Sequence, residues 1–212
     1  MNRQCNKNLQ TLAVIAACIP ATLLLQTLHF SAQTGWPVRV LLCAACYALI
    51  AAPVIIYCAV KKISPADLGI AGKHWLKNNL FGALLAGVVL FAGVPFLRLL
   101  FGADYSPGVN GADAAVVAVA AFAEEFMFRG FLQRRLCAFI GKPAGYFLSC
   151  ACFAAFHIPR LAFAGASAEY TALYCGAVFM GSLVFGGLAL LFDDVWPSVW
   201  VHTAANIVLA AV

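Results

Sequence analysis

Six polar side chains interrupt three apolar segments of the chain. They are Glu124, Glu125, Arg129, His157, His202 and Asn206. An ionisable side chain in the middle of a membrane-spanning helix costs about 2.5–3.5 kcal/mol on insertion scales, so each one needs a compensating role. Polar groups can join helices across a bundle interface. Five ionisable groups in three segments favour instead a polar functional site at membrane depth.

Helical spacing separates the roles of the two adjacent glutamates. Glu125 lies four residues before Arg129, the favourable orientation for an ion pair along a helix, so this pair is expected to be structural. Glu124 points about 100° away around the helix and has Phe128 four residues further along its own face. Because Glu124 has no partner within its helix, its carboxylate is suited to act as a general base.

The other polar residues fall into pairs with the same spacing. Phe153 and His157 share one helix face, and His202 and Asn206 share another. Three helices can therefore direct Glu124, His157 and the last pair at a single point.

Such a set could hydrolyse an amide or an ester. A carboxylate and an imidazole together polarise a water molecule, while a second imidazole and an amide N–H donate hydrogen bonds to a developing oxyanion. Nucleophilic catalysis by serine or cysteine is disfavoured. The chain has no G-x-S-x-G motif, and no cysteine falls among the clustered polar positions.

The composition indicates that the helices with these polar side chains lie in a membrane. Of 212 residues, 64% are hydrophobic and 10% are charged, whereas a soluble domain has about 45–50% apolar and about 25% charged residues. Too few polar side chains exist to cover a soluble globule, and disordered, coiled-coil and nucleic-acid-binding classes need more charge. We expect one integral-membrane domain, residues 1–212, folded as an all-α transmembrane helix bundle.

Seven apolar runs have lengths that suit spans of a bilayer whose core is about 30 Å thick. They are Leu9–Phe30, Val38–Val60, Leu80–Leu100, Ala112–Leu136, Pro143–Ile158, Tyr170–Phe192 and Val195–Val212. The fourth, fifth and seventh contain the polar motifs, so residues 112–212 form the motif-bearing core. These boundaries place His157 near the outer end of the fifth span and His202 nearer the inner end of the seventh.

The distribution of basic residues predicts a cytoplasmic N-terminus. With that orientation, nine basic residues lie on the cytoplasmic side and three on the opposite side. The cytoplasmic set is Arg3, Lys7, Lys61, Lys62, Lys73, Lys77, Arg134, Arg135 and Lys142, and the opposite set is Arg39, Arg98 and Arg160. One connection departs from the pattern, since the predicted cytoplasmic turn between the last two spans contains Asp193 and Asp194.

At these residues the sequence resembles the CPBP (Abi) family of intramembrane proteases, which includes the CAAX prenyl endopeptidases. That family is marked by E-E-x-x-x-R, F-x-x-x-H and H-x-x-x-N/B, in this order and on separate spans. Here the motifs read EEFMFR from Glu124 to Arg129, FAAFH from Phe153 to His157 and HTAAN from His202 to Asn206. The resemblance covers roughly residues 112–212.

The resemblance implies an endopeptidase in which Glu124 activates water together with His157. His202 and Asn206 would form the oxyanion hole, and Glu125 and Arg129 would orient the helix and tune the site. A zinc enzyme is the alternative, with Glu124, His157 and His202 as the ligands beside a water. The chain has no H-E-x-x-H motif, and Asn206 is a better hydrogen-bond donor than zinc ligand. A mechanism without a metal or another cofactor is therefore favoured.

Other functions compete with this one. The main alternative is a non-catalytic scaffold of the same fold, or a bacteriocin-immunity protein, and a small transporter ranks below both because the chain has no repeat-related broken helices. As a protease in a bacterial plasma membrane, the protein would bind a protein or peptide substrate but no nucleic acid. A C-terminal sorting tail, a leader peptide and a prenylated tail all fit. The oligomeric state is open, and a homodimer is one arrangement.

Overall fold

The computed structural model of the protein describes residues 3–20, 35–101 and 111–209. Within these ranges the secondary structure is helical, with no strand, so the all-α class is confirmed. In chain order the α-helices are α1 (Arg3–Ala16), α2 (Trp36–Val60), α3 (Trp75–Phe101), α4 (Gly111–Glu125), α5 (Arg134–Ile140), α6 (Lys142–Ala155), α7 (Ile158–Phe163), α8 (Ala168–Phe192) and α9 (Trp196–Leu209). A π-helix, Phe126–Gln133, joins α4 to α5 without a break.

Four helical segments in the described residues are long and apolar enough to cross a membrane. They are Pro37–Val60, Trp75–Leu99, Lys142–Phe163 and Ala168–Phe192. These segments correspond to the second, third, fifth and sixth predicted spans, and the protein is a membrane helix bundle.

The other three predicted spans each differ from a single long helix. The first, Leu9–Phe30, begins within α1, but residues 21–34 lie outside the described part of the chain. The fourth, Ala112–Leu136, is present as α4, the π-helix and the start of α5, and it carries the costly charges. The seventh is present as α9, which has 14 residues. Seven spans and a cytoplasmic N-terminus stay predictions.

The core of the bundle lies on the π-helix. Met127, Phe128, Phe131 and Leu132 are all 0% exposed and pack with buried residues of α1, α2 and α6. This central position explains why the predicted fourth span can hold charges. Its polar side chains meet other helices instead of lipid, which removes most of the desolvation penalty.

A close approach between α3 and α9 depends on Gly82. A Cβ atom at this position would lie 2.8 Å from Cα of Pro197 and 2.9 Å from Cδ1 of Trp200. Since α9 packs along the length of α3, this contact fixes the height and rotation of the helix that carries His202.

The two predicted cytoplasmic connections that flank α3 and α9 meet at one end of the bundle. Val195 N–H donates to the carbonyl of Gly69, and Asn78 Nδ2 donates to Asp194 Oδ2 at 2.9 Å. Asp193 Oδ1 lies 2.8 Å from Nη1 of Arg134. The predicted topology requires these segments to share a side, and each acidic residue of the unusual turn has a partner there.

Candidate active site

The helix that carries both glutamates changes its winding directly after them. Glu125 ends α4, and the next eight residues, Phe126–Gln133, form the π-helix. The i, i+4 spacing of Glu125 and Arg129 predicts a regular α-helix here, and the structure has a π-helix instead. A π-helix hydrogen-bonds i to i+5, occurs rarely, and is frequent at functional sites. Part of its support comes from α6, where Ser149 Oγ donates to the carbonyl of Phe128 at 3.4 Å.

The Glu125–Arg129 pair forms inside this rewound segment. Glu125 Oε1 and Arg129 Nη1 are 3.1 Å apart, and the side chains are 0% and 1% exposed. Arg129 Nη2 also donates to Oγ of Ser182 on α8 at 2.9 Å and to its carbonyl at 3.3 Å. The guanidinium lies 4.3 Å from the centre of the Phe153 ring, an arrangement suited to a cation–π contact.

Glu125 also holds His202, a contact between helices that the sequence spacing does not indicate. His202 Nδ1 lies 2.8 Å from Glu125 Oε1, and the imidazole is buried. Because a carboxylate paired with arginine can only accept, Nδ1 carries the proton and donates it. The ring stacks on Phe185, with centroids 4.5 Å apart and planes at 16°. These contacts fix both the tautomer and the orientation of His202.

Glu124 faces the other nitrogen of the same imidazole. Its Oε2 lies 3.7 Å from His202 Nε2, which is longer than a hydrogen bond, and its side chain is 17% exposed. Glu124 is therefore the more open carboxylate of the two and has fewer fixed partners, as its helical position predicted.

His157 lies in the turn between α6 and α7 and is half-buried. Its Nδ1 donates to the carbonyl of Phe153 at 2.9 Å, because a carbonyl oxygen can only accept. In the neutral ring, Nε2 then keeps its lone pair.

The predicted span boundaries put the two histidines at different depths, whereas the structure brings both rings to Phe153. Both rings pack edge-on against Phe153, with centroid distances of 5.1 Å for His157 and 6.0 Å for His202. Helix α6 ends at Ala155, and the following turn places His157 beside the aromatic ring that Arg129 and His202 also contact. Phe153 of the second motif is thus the common packing surface of the site.

Asn206 is less closely tied to the other motif residues. It lies one turn beyond His202 on the same face of α9 and is half-buried. In the described part of the chain no residue hydrogen-bonds its side chain. The amide is therefore available to a ligand.

The proposed zinc ligands do not have the arrangement of a metal site. Among the described residues, no group of three or more His, Cys, Asp or Glu side chains is placed to hold a metal ion. His202 uses Nδ1 for Glu125 and turns Nε2 toward Glu124. A catalytic zinc site usually has three protein ligands, so these residues do not form one as they stand.

Three contacting residues on α8 were missed by the sequence analysis. Ser182 anchors Arg129, Phe185 stacks on His202, and Tyr174 lies 5.9 Å from the His157 ring. Ser182 had a usable signal, since it is a polar residue inside an apolar span. Phe185 and Tyr174 had none, because aromatic residues occur throughout the apolar segments of this chain.

Comparison with known proteins supports the motif assignment. Residues 112–208 match the family model described as type II CAAX prenyl endopeptidase Rce1-like, and the match includes all three motifs. No curated protein and no solved structure matches the chain. The resemblance drawn from the motifs is therefore confirmed. The matched residues make up slightly less than half of the chain, and over that length the protein is similar to the Rce1-like type II CAAX prenyl endopeptidases.

Proposed function

We propose that the protein is a glutamic-type intramembrane endopeptidase that cleaves a peptide bond near the membrane face. The observation that carries this proposal is the buried series of contacts from Arg129 through Glu125 to His202, which ends opposite Glu124. It places a fixed imidazole beside a second, more open carboxylate. The whole chain, residues 1–212, is proposed as one domain, with residues 112–212 as its catalytic core.

In the proposed mechanism Glu124 and Glu125 act as carboxylates and His202 acts as an imidazolium. Together with Arg129 these charges cancel, and buried charges need such pairing. The Glu124 carboxylate is then the base, and His202 Nε2–H is a hydrogen-bond donor.

Water activation is assigned to Glu124 with His157. The Glu124 carboxylate removes a proton from water while His157 Nε2 accepts the second water hydrogen bond, so the water oxygen attacks the scissile carbonyl carbon. His202 carries a proton on each ring nitrogen during this step, so its Nε2–H is a hydrogen-bond donor. When the tetrahedral intermediate collapses, the C–N bond breaks and Glu124 returns its proton to the leaving nitrogen. The products are a carboxyl terminus and an amine.

The developing oxyanion is assigned to His202 and Asn206. Imidazolium Nε2–H and the amide N–H lie on one face of α9, one helical turn apart. Donors that are already oriented for the transition state stabilise it without reorganisation. Glu125 holds the imidazole ring and balances its positive charge, which is why the ion pair with Arg129 has to be intact.

The proposed mechanism uses no metal ion or other cofactor. This preference is supported by the side chains themselves, since among the described residues no three His, Cys, Asp or Glu side chains are grouped to hold a metal ion, and Asn206 is a better hydrogen-bond donor than zinc ligand. Metal analysis of an active, purified sample tests this point. About one ion per chain that is required for cleavage would contradict it.

We further propose that the protein is a multi-pass protein of a bacterial plasma membrane. Its substrate is a protein or peptide that reaches the membrane face. The family description favours a lipid-modified C-terminal tail in a host that prenylates proteins, and a sorting tail or leader peptide in other hosts. A scaffold or immunity protein of the same fold would bind a partner without cutting it.

Mass spectrometry of protein termini in host cells distinguishes these functions. The cells carry the wild type, Glu124→Gln or Glu169→Gln, and the last is a control because Glu169 is exposed at the start of α8. We expect a new terminus with the wild type and the control but not with Glu124→Gln, which keeps the side-chain shape and removes the base. Equal termini in all three strains, with equal expression, would overturn the proposal and favour the scaffold.

A further inference from the structure

An open groove runs between α1 and α2, away from the candidate active site. Its volume is about 420 Å³, and most of its wall is apolar. The lining residues are Gln10, Ala13, Val14 and Ala17 on one side and Pro53, Tyr57 and Lys61 on the other. Their spacing places each set on one face of its helix. The small side chains of Ala13 and Ala17 leave the space open.

A second groove continues from the Lys61 end of the first. It has a volume of about 450 Å³ and shares Gln10, Tyr57 and Lys61 with it. Its other lining residues are Ile63, Asp67, Arg134, Arg135, Ala138 and Phe139. The two grooves therefore form one surface, which we call the α1–α2 groove, with an apolar section and a cationic mouth.

Two of the cations at this mouth have no carboxylate partner in the described residues. Arg134 pairs with Asp193. Lys61 instead lies over the Tyr57 ring at 5.9 Å, and Arg135 lies 4.1 Å from the centre of the Phe131 ring. Both rings hold the charges in place without neutralising them. The mouth can therefore accept an anionic group.

The acidic residue at the mouth is already engaged. Asp67 accepts hydrogen bonds from Ser64 Oγ at 2.7 Å and from Ser64 N–H at 3.1 Å. These bonds lower the pKa of Asp67 below its usual range. Asp67 thus stays ionised and tied to its own turn, and the three cations still outnumber it.

The length of the apolar section matches one leaflet of a bilayer. From Pro53 to Lys61 the axis of α2 rises by about 12 Å, against about 15 Å for half of a hydrocarbon core of about 30 Å. The mouth is then at the headgroup level on the side that the basic residues predict to be cytoplasmic. Basic pockets at this level of helix bundles suit anionic lipid headgroups.

We propose that the α1–α2 groove binds one anionic phospholipid. An acyl chain lies against Ala13, Ala17 and Pro53, and the phosphate lies between Lys61 and Arg135. A free phosphate would make no contact with the apolar section of the groove. A zwitterionic lipid is disfavoured because its headgroup would bring a positive charge next to Lys61 and Arg135. This site is independent of the proposed peptidase activity, since it contains none of the motif residues.

Native mass spectrometry of the full chain in detergent tests the proposal. Phosphatidylglycerol, phosphatidylcholine with the same acyl chains, and glycerol phosphate are the three probes. We expect one phosphatidylglycerol to stay bound and the other two to be lost. The double substitution Lys61→Gln/Arg135→Gln should weaken phosphatidylglycerol binding about thirtyfold, whereas Lys142→Gln, an exposed cation outside the groove, should not.

The apolar section needs its own variant. Ala13→Phe fills it and should abolish lipid retention, while Ala151→Phe, at an exposed position on α6, should leave retention unchanged. Equal retention of the two lipids, or equal loss in the Lys142→Gln control, would overturn the anionic part of the proposal. Retention of glycerol phosphate alone, or lipid binding that survives Ala13→Phe, would overturn the acyl-chain part.

Discussion

The imidazole of His202 meets a carboxylate at each of its nitrogens, at 2.8 Å from Glu125 and 3.7 Å from Glu124. The nearer carboxylate is fixed by Arg129, and the farther one is partly open. In the proposed mechanism this asymmetry gives the two neighbouring glutamates different tasks, because Glu125 orients the ring and Glu124 is the base. Adjacent residues on a helix point in different directions, so the pair can serve both tasks only when another helix supplies the histidine.

The ion pair and the activity can be separated by substitution. Glu125→Met and Arg129→Met each leave an uncompensated buried charge, and each should lower the free energy of unfolding by about 3–5 kcal/mol. The double variant Glu125→Met/Arg129→Met removes both charges and should recover most of that stability. It should remain inactive, because His202 Nδ1 then lacks its acceptor. Thermal unfolding in detergent and terminal mass spectrometry provide the two measurements.

A double variant as unstable as either single variant would contradict the first part of this prediction. A double variant that cleaves like the wild type would show that Glu125 has no part in orienting His202.

For single residues, the sequence predicted which side chains belong to the candidate site better than it predicted which of them contact each other. The cost of charge in an apolar segment singled out all six polar positions, and the Glu125–Arg129 spacing indicated their ion pair. The Glu125–His202 and Arg129–Ser182 contacts join residues 77 and 53 positions apart. Such contacts follow from helix packing, which periodicity within one segment does not report.

Among the elements, the π-helix is the largest departure from expectation. Its residues, FMFRGFLQ, include no proline and one glycine, and their types are compatible with a regular α-helix. The wider turn is stabilised by the packing of buried aromatic residues around it and by side-chain contacts from α6 and α8. The predicted spans Val38–Val60 and Tyr170–Phe192, in contrast, agree closely with α2 and α8, because membrane thickness sets their length.

The contact between α3 and α9 gives a prediction at the level of elements. Gly82→Ala introduces a Cβ against the backbone of Pro197, which cannot move as a side chain could. We expect a loss of about 1–3 kcal/mol of stability and reduced cleavage, because α9 carries His202 and Asn206. Gly87→Ala on the same helix is the matched control, since nothing lies within 4 Å of its added methyl group.

Helix propensity alone would make the control variant more stable by about 1 kcal/mol. Equal thermal midpoints for Gly82→Ala and Gly87→Ala would show that the close approach does not position α9.

For the whole molecule, the contacts among the Gly69 loop, Arg134 and the Asp193–Asp194 turn bring three segments together at one end of the bundle. The basic residues predict that this side is cytoplasmic. Reporter fusions after Lys73, Lys142 and Gly165 test the orientation. We expect fluorescence from green fluorescent protein at the first two positions and alkaline phosphatase activity at the third.

Phosphatase activity at Lys73 or Lys142 would show that the orientation is the reverse of the predicted one or that the number of spans is different. In that case the mouth of the α1–α2 groove would lie in the other leaflet, which has a different content of anionic lipids.

The long separation between the charged partners has a consequence for biosynthesis. A ribosome delivers Glu125 and Arg129 to the membrane well before Ser182 and His202 have been made, since 53 and 77 residues separate these partners. During that interval the early charges lack half of their contacts and would cost several kcal/mol in lipid. The nascent segment therefore has to wait beside water or the insertion machinery, and the proposed site is incomplete until α9 has been made.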